Sequence, residues 1–205
     1  MKSTPDTQKS ARVQTGTAVS NRTRKLVLTG LFAALTCVAT MVIHIQTPTM
    51  GYIHPGDALV LLSGLLLGPV YGAFAAGVGS MLADLFSGYF TYVPATLIIK
   101  ALTALFACLI SSALSKCIKG RSSEAVSVII AGIIAELFMA GGYFVFEIFL
   151  LGASSGHSVF SAAGFSAGVS ASAAGIPFNL VQGAVGVVLA AILFPILKKI
   201  RAQFF

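Results

Sequence analysis

Three charged residues interrupt the apolar stretch of residues 51–101 and could recognise a polar small molecule. Asp57, Asp84 and Lys100 lie inside, or at the ends of, segments that are otherwise almost purely apolar. A charge in hydrocarbon costs about 2.5–3.5 kcal/mol on insertion scales, so such residues are usually kept because they pair or contact a ligand. The alternative to ligand binding is a structural ion pair between Asp84 and Lys100.

Further polar residues fall at the same depth if the apolar segments are helices. With a rise of about 1.5 Å per residue, helical polar groups converge within about 6–12 Å of one set of loops. Such a layer is typical of a small-molecule pocket with aromatic walls, although its tyrosines would also suit an interfacial aromatic belt. Glu136 lies deeper, where we predict a structural role. The predicted substrate-binding residues are His54, Asp57, Asp84, Tyr89, Tyr92, Lys100, Tyr143, Glu147, His157, Asn179 and Gln182.

The composition indicates an integral membrane protein. Hydrophobic residues make up 57% of the 205 residues and charged residues 9%, whereas about 25% of the residues of a soluble domain are charged. The length allows about six spans of about 20 residues each. We therefore predict an all-α fold, a bundle of six transmembrane helices over residues 24–205, after a disordered cytoplasmic tail over residues 1–23.

The apolar runs set the bounds of the predicted helices and loops. Asp57 stands where it could cap helix 2. Residues 46–56 and the aromatic segment 87–94 are predicted loops, and the Ser/Gly/Ala-rich segment 152–173 is a third, long enough to act as a lid. The six predicted helices cover residues 26–45, 58–67, 70–86, 95–115, 124–151 and 174–197.

The net charge of +7 reflects orientation in a membrane better than a nucleic-acid partner. Every basic residue except Lys100 falls before helix 1, between helices 4 and 5, or after helix 6. The positive-inside rule places these segments, with both termini, in the cytoplasm. We predict a multi-pass protein of the plasma membrane of a bacterium, with the lipid bilayer as a partner and no nucleic acid.

The motifs that suggest catalysis are weak. Ser166 lies in a Gly-x-Ser-x-Gly pattern, but that elbow needs a strand-to-helix turn in an α/β sheet. The sequence has no P-loop pattern, so ATP hydrolysis would have to come from another subunit. Its three cysteines lack the spacing of a metal site. We predict no catalytic residue, no cofactor and no metal.

Four runs of residues carry a family resemblance: 51–57, 67–72, 79–89 and 94–100. They resemble the substrate-binding S components of energy-coupling factor (ECF) vitamin transporters, over about residues 24–200. The likeness is closest to the riboflavin, hydroxymethylpyrimidine and pyridoxine branch. It implies a six-helix protein that captures a vitamin from outside and docks on an ECF module, a membrane coupling subunit with two ATPases. The resemblance also implies that the protein then topples in the membrane to release its cargo inward.

The resemblance also implies roles for particular segments. Small residues on helix 1 would form the docking face, here Gly30, Ala33, Ala34 and Cys37, without a clean Ala-x-x-x-Ala pattern. The loops over residues 46–56, 87–94 and 152–173 would close the pocket. Metal-specific members carry a histidine next to the initiating methionine, and this chain begins Met-Lys-Ser. Metal transport is therefore not expected.

The residues themselves restrict the substrate. Asp57, Asp84 and Glu147 outnumber Lys100, which disfavours a multiply anionic cargo such as folate. We hypothesise a neutral or weakly basic heteroaromatic vitamin, such as pyridoxine or hydroxymethylpyrimidine, with riboflavin next. A carboxylate bound by Lys100 keeps lipoate and pantothenate open. The rival functions are a self-sufficient ion- or proton-coupled carrier, which would usually show inverted repeats, and a hydrolase built on Ser166.

Overall fold

Seven helices and one short hairpin make up the described part of the chain. The computed structural model describes the backbone of residues 5–118 and 123–204, and the side chains of residues 22–118 and 123–200. The predicted disordered tail falls mostly outside the described side chains and stays a prediction. The elements are α1 (Pro5–Val42), β1 (Ile45–Gln46), β2 (Tyr52–Ile53), α2 (Asp57–Leu67), α3 (Pro69–Phe86), α4 (Val93–Cys117), α5 (Ser123–Ala153), α6 (Ala162–Ala173) and α7 (Ile176–Phe204).

Five helices are long and apolar enough to cross a membrane. They are Arg22–Val42 of α1, α3, α4, α5 and Ile176–Ile200 of α7. Helix α2 has 11 residues, which is about 16 Å at 1.5 Å per residue, against a hydrocarbon core about 30 Å thick. The predicted all-α membrane bundle is confirmed as a class. The count of six spans and the cytoplasmic termini stay predictions, because the second predicted span is the short α2.

Helix α2 lies at the centre of the bundle, in contact with α3, α4 and α7. Its residues Val60, Leu61 and Leu62 are completely buried. The core cluster around it draws small and branched apolar side chains from the neighbouring helices, including Ala75, Ala107, Val128, Ala135 and Val187. The other helices expose large apolar side chains on their outer faces. This arrangement suits a bundle surrounded by lipid, with α2 screened from it.

Close backbone contacts fix α2 between its neighbours. Gly68, at φ 88°, ends α2, and Pro69 begins α3 at the first helical position, where its missing N–H costs nothing. A Cβ atom at Gly72 would collide with the backbone of Ser63 and Gly64, and one at Gly64 with the backbone of Ala104. Small residues that let backbones approach closely are the usual basis of helix packing in membranes.

The prediction that residues 152–173 form a loop is wrong for its second half, which α6 occupies. The Ser161 side chain caps α6 by accepting a hydrogen bond from Gly164 N at 3.1 Å. Gly168 then lies against the backbone carbonyl of Ile148 on α5, where a Cβ atom would not fit. Close packing of small residues on α5, rather than an apolar face, holds this helix in place.

Candidate functional site

A two-stranded hairpin covers one end of the bundle. Strands β1 and β2 are antiparallel, with Ile45 opposite Ile53 and Gln46 opposite Tyr52. The predicted loop of residues 46–56 therefore contains a strand pair that was not expected. Three hydrogen bonds join this segment to three different helices: Thr49 Oγ1 to Glu147 Oε1 of α5 at 2.9 Å, Tyr52 OH to Asp84 Oδ1 of α3 at 2.7 Å, and His54 N to Gln182 Oε1 of α7 at 2.9 Å.

A buried ion pair lies beneath the hairpin. Lys100 Nζ is 2.5 Å from Asp57 Oδ1, and the two side chains are 1% and 0% exposed. Gln182 Nε2 donates to the other carboxylate oxygen of Asp57 at 2.7 Å, and the Lys100 ammonium lies 5.3 Å from the centroid of the Tyr143 ring. The protein itself thus supplies the opposite charge, the hydrogen bond and the aromatic ring that stabilise this buried ion pair.

The structure differs from two possibilities that the sequence left open for these charges. Asp57 does not cap α2, because Gly56 holds the N-cap position and no side chain makes a cap bond there. Asp84 does not pair with Lys100, because Lys100 bonds Asp57 and Asp84 accepts a hydrogen bond from Tyr52. Helix α2 begins at Asp57, one residue before the predicted start, so Asp57 is the first helical residue and not the cap.

A small polar hollow, which we call the inner cavity, lies between the hairpin and the helices. Its volume is about 30 Å³, room for about one or two water molecules. Seven of the predicted substrate-binding residues line it, together with six that were not predicted. The lining residues are Thr40, Thr47, Gly51, Tyr52, His54, Ser80, Asp84, Tyr92, Thr96, Tyr143, Glu147, Asn179 and Gln182.

Several oxygen atoms of the cavity wall lack hydrogen-bond partners. Among the described residues, Thr40 Oγ1, Ser80 Oγ, Asp84 Oδ2 and Glu147 Oε2 are buried without one. Buried polar groups in folded proteins are nearly always bonded, so each exception needs an explanation. An ionised carboxylate accepts hydrogen bonds and cannot donate them, whereas a hydroxyl can do both. The wall is therefore suited to a molecule that carries several hydrogen-bond donors.

The imidazole of His54 adds no positive charge to this wall at neutral pH. Gly56 N donates to His54 Nδ1 at 3.1 Å, which requires that nitrogen to be an acceptor. Burial lowers the pKa of His54 well below its usual 6.5, and Lys100 lowers it further, although Asp57 opposes the shift. With Lys100 already paired to Asp57, the carboxyl groups of Asp84 and Glu147 set the electrostatic character of the cavity.

Four of the predicted binding residues do not line the inner cavity. Asp57 and Lys100 lie beneath it, and Gln182 connects Asp57 to the wall. Tyr89 packs on Tyr52, with ring centroids 4.6 Å apart. His157 is exposed outside the bundle, and no contact in the described part of the chain brings it to the cavity.

The lining residues that sequence reasoning missed carry little signal. Thr40, Ser80 and Thr96 are hydroxyl residues within apolar helices, where they usually bond the backbone of the preceding turn. Thr47 lies in a segment predicted only as a loop. Gly51 and Tyr52 had a signal, because both stand in the motif-bearing run of residues 51–57.

Glu136 lies outside the inner cavity, against Gly183 of α7. The residue is 5% exposed, and neither carboxyl oxygen has a partner among the described residues. A Cβ atom placed on Gly183 would lie 2.8 Å from Glu136 Cβ. Glu136 thus resembles Glu147 in chemistry and shares its helix, but it does not face the same hollow.

The small residues predicted on helix 1 divide into two groups. Gly30 and Ala34 are exposed, and nothing within 4 Å would meet a Cβ atom on Gly30. Ala33 is half-buried with its carbonyl against Gly79 of α3, and Cys37 is 8% exposed with its Sγ 3.7 Å from Met41 Sδ. Of these four residues, only Gly30 and Ala34 lie on an exposed surface of α1.

Comparison with known families identifies the chain. A family model described as "ECF-type riboflavin transporter, S component" matches residues 20–199. The chain belongs to this family. The resemblance noted in the sequence is thereby confirmed, and the S component is a non-enzymatic, substrate-binding membrane subunit of an ECF-type transporter. Membership does not favour a self-sufficient carrier.

A solved structure agrees with the fold of this S component. It is described as "Structure and mechanism of the S component of a bacterial ECF transporter", with a TM-score of 0.61 and 22% sequence identity over 87% of this chain and 98% of that one. At that identity the likeness concerns the fold. An uncharacterized protein in a gap 3′ region of Pyrococcus woesei is 45% identical over 64 residues, which is 31% of this chain. The S component spans 43% of that relative's length.

Proposed function

We propose that the protein captures a neutral or weakly basic heteroaromatic vitamin in the inner cavity and delivers it to an ECF module in the plasma membrane. The observation that carries this proposal is the set of unpartnered oxygens on the cavity wall. Hydroxyl and ring N–H groups of such a vitamin would satisfy them. Riboflavin is the first candidate because of the family description, followed by pyridoxine and hydroxymethylpyrimidine.

The charges around the cavity support a substrate without several negative charges. Asp84 and Glu147 face it, and the one buried ammonium among the described residues is already bonded to Asp57. Lys100 is thus engaged in the floor of the site, which argues against lipoate or pantothenate held by a carboxylate on Lys100. Folate would bring two carboxylates to a wall that already carries two carboxyl groups, which disfavours it.

The aromatic side chains around the cavity support a planar ring as part of the ligand. Tyr52, Tyr92 and Tyr143 line it, and the Tyr92 ring packs edge-on against Phe146 at 5.3 Å between centroids. The hollow is too small for a vitamin, so binding must move part of its wall. The hairpin is the part best suited to move, because its attachment to the helices consists mostly of hydrogen bonds, which Thr49, Tyr52 and His54 make.

Ligand analysis of the purified protein tests the proposal. We expect mass spectrometry of small molecules released from the detergent-purified chain to find a heteroaromatic vitamin. Equilibrium titration should show tight binding of riboflavin, pyridoxine or hydroxymethylpyrimidine. Folate serves as the control of opposite charge. Tight folate binding without binding of the three others would contradict the proposal.

Transport by this S component should depend on a partner ATPase. We propose that the exposed surface of α1 around Gly30 and Ala34 contacts the coupling subunit, since small residues let a second helix approach closely. Replacing Gly30 with leucine should leave vitamin binding unchanged and lower uptake by cells that contain the ECF module about tenfold, the effect of about 1.4 kcal/mol.

A matched control exists on α5. Gly141 is also exposed, and a Cβ atom added to it would meet nothing within 4 Å, so Gly141→Leu adds the same bulk to a different exposed surface. Uptake that survives in Gly30→Leu as well as in Gly141→Leu would contradict docking through this surface. Uptake by the chain without any ATPase module would instead favour the self-sufficient carrier.

A further inference from the structure

A second hollow lies next to the inner cavity, and we call it the outer vestibule. Its volume is about 350 Å³, more than ten times that of the inner cavity. Tyr92 lines both hollows and is the wall residue that they share. The other main lining residues of the vestibule are Met50, Tyr89, Phe90, Leu150 and Ser154.

The lining of the outer vestibule differs in chemistry from that of the inner cavity. The connection between α3 and α4 brings Tyr89, Phe90 and Tyr92 to one hollow, which Leu150 of α5 also lines. No carboxylate or ammonium lines it among the described residues, whereas Asp84 and Glu147 face the inner cavity. The vestibule thus offers stacking surface without strong polar groups, which suits the face of a planar ring.

Met50 at the tip of the hairpin is held in an unusual conformation. Its φ of 65° is the one positive value at a non-glycine residue in the described chain, a conformation that costs energy for most side chains and often occurs at ligand clamps. The residue is 64% exposed and lines the vestibule. A flexible thioether in that place can adapt to an aromatic ring.

Passage past Tyr92, from the vestibule to the inner cavity, would require this side chain to move. Its hydroxyl donates to the Thr49 carbonyl at 2.6 Å and lies 3.3 Å from Glu147 Oε1. Gly51 of the hairpin lies against the same end of the ring, where a Cβ atom would be 3.4 Å from the Tyr92 hydroxyl. A ring held in the vestibule would already touch the side chain that must move.

We propose that the outer vestibule is an encounter site, which binds the aromatic ring of the substrate before the substrate passes Tyr92 into the inner cavity. This inference rests on the proposed function and adds a second, weaker binding site on the same route. The site selects planar aromatic molecules by stacking, and the inner cavity then selects among them by hydrogen bonds.

Stopped-flow fluorescence of the full chain in detergent tests the encounter site. The probe is riboflavin or pyridoxine, whichever binds in the equilibrium titration, since both fluoresce. We expect the observed rate to rise hyperbolically with ligand concentration, as two-step binding requires. Phe90→Ala should raise the half-saturating concentration about threefold to tenfold, the change that loss of one aromatic contact produces. The equilibrium Kd and the dissociation rate should stay unchanged, because the ring has left Phe90 once it is in the inner cavity, so the plateau of the observed rate should rise by the same factor as the half-saturating concentration.

Phe160→Ala is the matched control. Phe160 is 88% exposed and does not line the vestibule, so its removal should leave the hyperbola unchanged. A rate that stays linear in ligand concentration, or an unchanged half-saturation in Phe90→Ala, would overturn the encounter site while the titration still supports vitamin capture. Absence of equilibrium binding by riboflavin, pyridoxine and hydroxymethylpyrimidine alike would overturn the proposed function and the encounter site together.

Discussion

Replacing Lys100 with methionine should destabilise the folded protein by about 3–5 kcal/mol, the usual cost of breaking a buried ion pair. The carboxylate of Asp57 is completely buried, and Gln182 would still donate one hydrogen bond to it. Removing the ammonium leaves that charge without compensation at the centre of the bundle. Thermal unfolding in detergent, followed by the fraction that stays monodisperse in size-exclusion chromatography, measures the effect.

Two controls separate the ion pair from a general effect of losing a lysine. The double variant Asp57→Asn with Lys100→Met removes both charges and should recover most of the lost stability. Lys198 forms an exposed pair with Glu124, with both side chains about half exposed, so Lys198→Met should cost less than about 1 kcal/mol. A Lys100→Met protein as stable as the native chain would show that the Asp57 charge has another partner.

Replacing Glu147 with glutamine should weaken vitamin binding about tenfold to hundredfold. Glu147 Oε1 accepts from Thr49 at 2.9 Å, while Oε2 is buried without a partner in the wall of the inner cavity. A ligand donor bonded to that oxygen would lose about 1.5–3 kcal/mol when the charge is removed. Equilibrium titration of the purified protein with riboflavin, pyridoxine and hydroxymethylpyrimidine measures the change.

Glu136→Gln provides the same chemical change on the same helix. Glu136 is also buried without hydrogen-bond partners among the described residues, but it packs against Gly183 and does not line the inner cavity. We expect Glu136→Gln to bind the vitamin as the native chain does. Equal loss of affinity in both variants would indicate that general electrostatics, and not contact with Glu147, governs binding.

The sequence was sufficient to predict the class of protein and the bounds of most helices. A low charged fraction and long apolar runs are strong signals, and the Gly68-Pro69 corner between α2 and α3 follows directly from the properties of those two residues. Depth along a helix was also predictable, because a fixed rise per residue places Asp84, Glu147 and Gln182 at similar levels. These three residues do line one cavity.

The sequence did not reveal which way a side chain points around its helix. It also did not reveal very short elements. Depth alone made Asp84 an apparent partner for Lys100, yet the partner is Asp57, 43 residues away. Strands of two residues, such as those of the hairpin, have no period that a pattern could detect. Helix α6 lacks an apolar face because glycine and alanine pack it against α5, so its composition resembled that of a loop.

The short length of α2 has a consequence for the size of the cargo. From the Gly68-Pro69 corner the helix rises only to Asp57, and that first residue forms the floor on which the hairpin and the ligand space rest. One added turn at this end would lift the floor by about 5.4 Å, and one turn fewer would lower it by the same amount. Insertions or deletions at the start of a single helix are therefore a simple route by which such proteins could come to accept larger or smaller molecules.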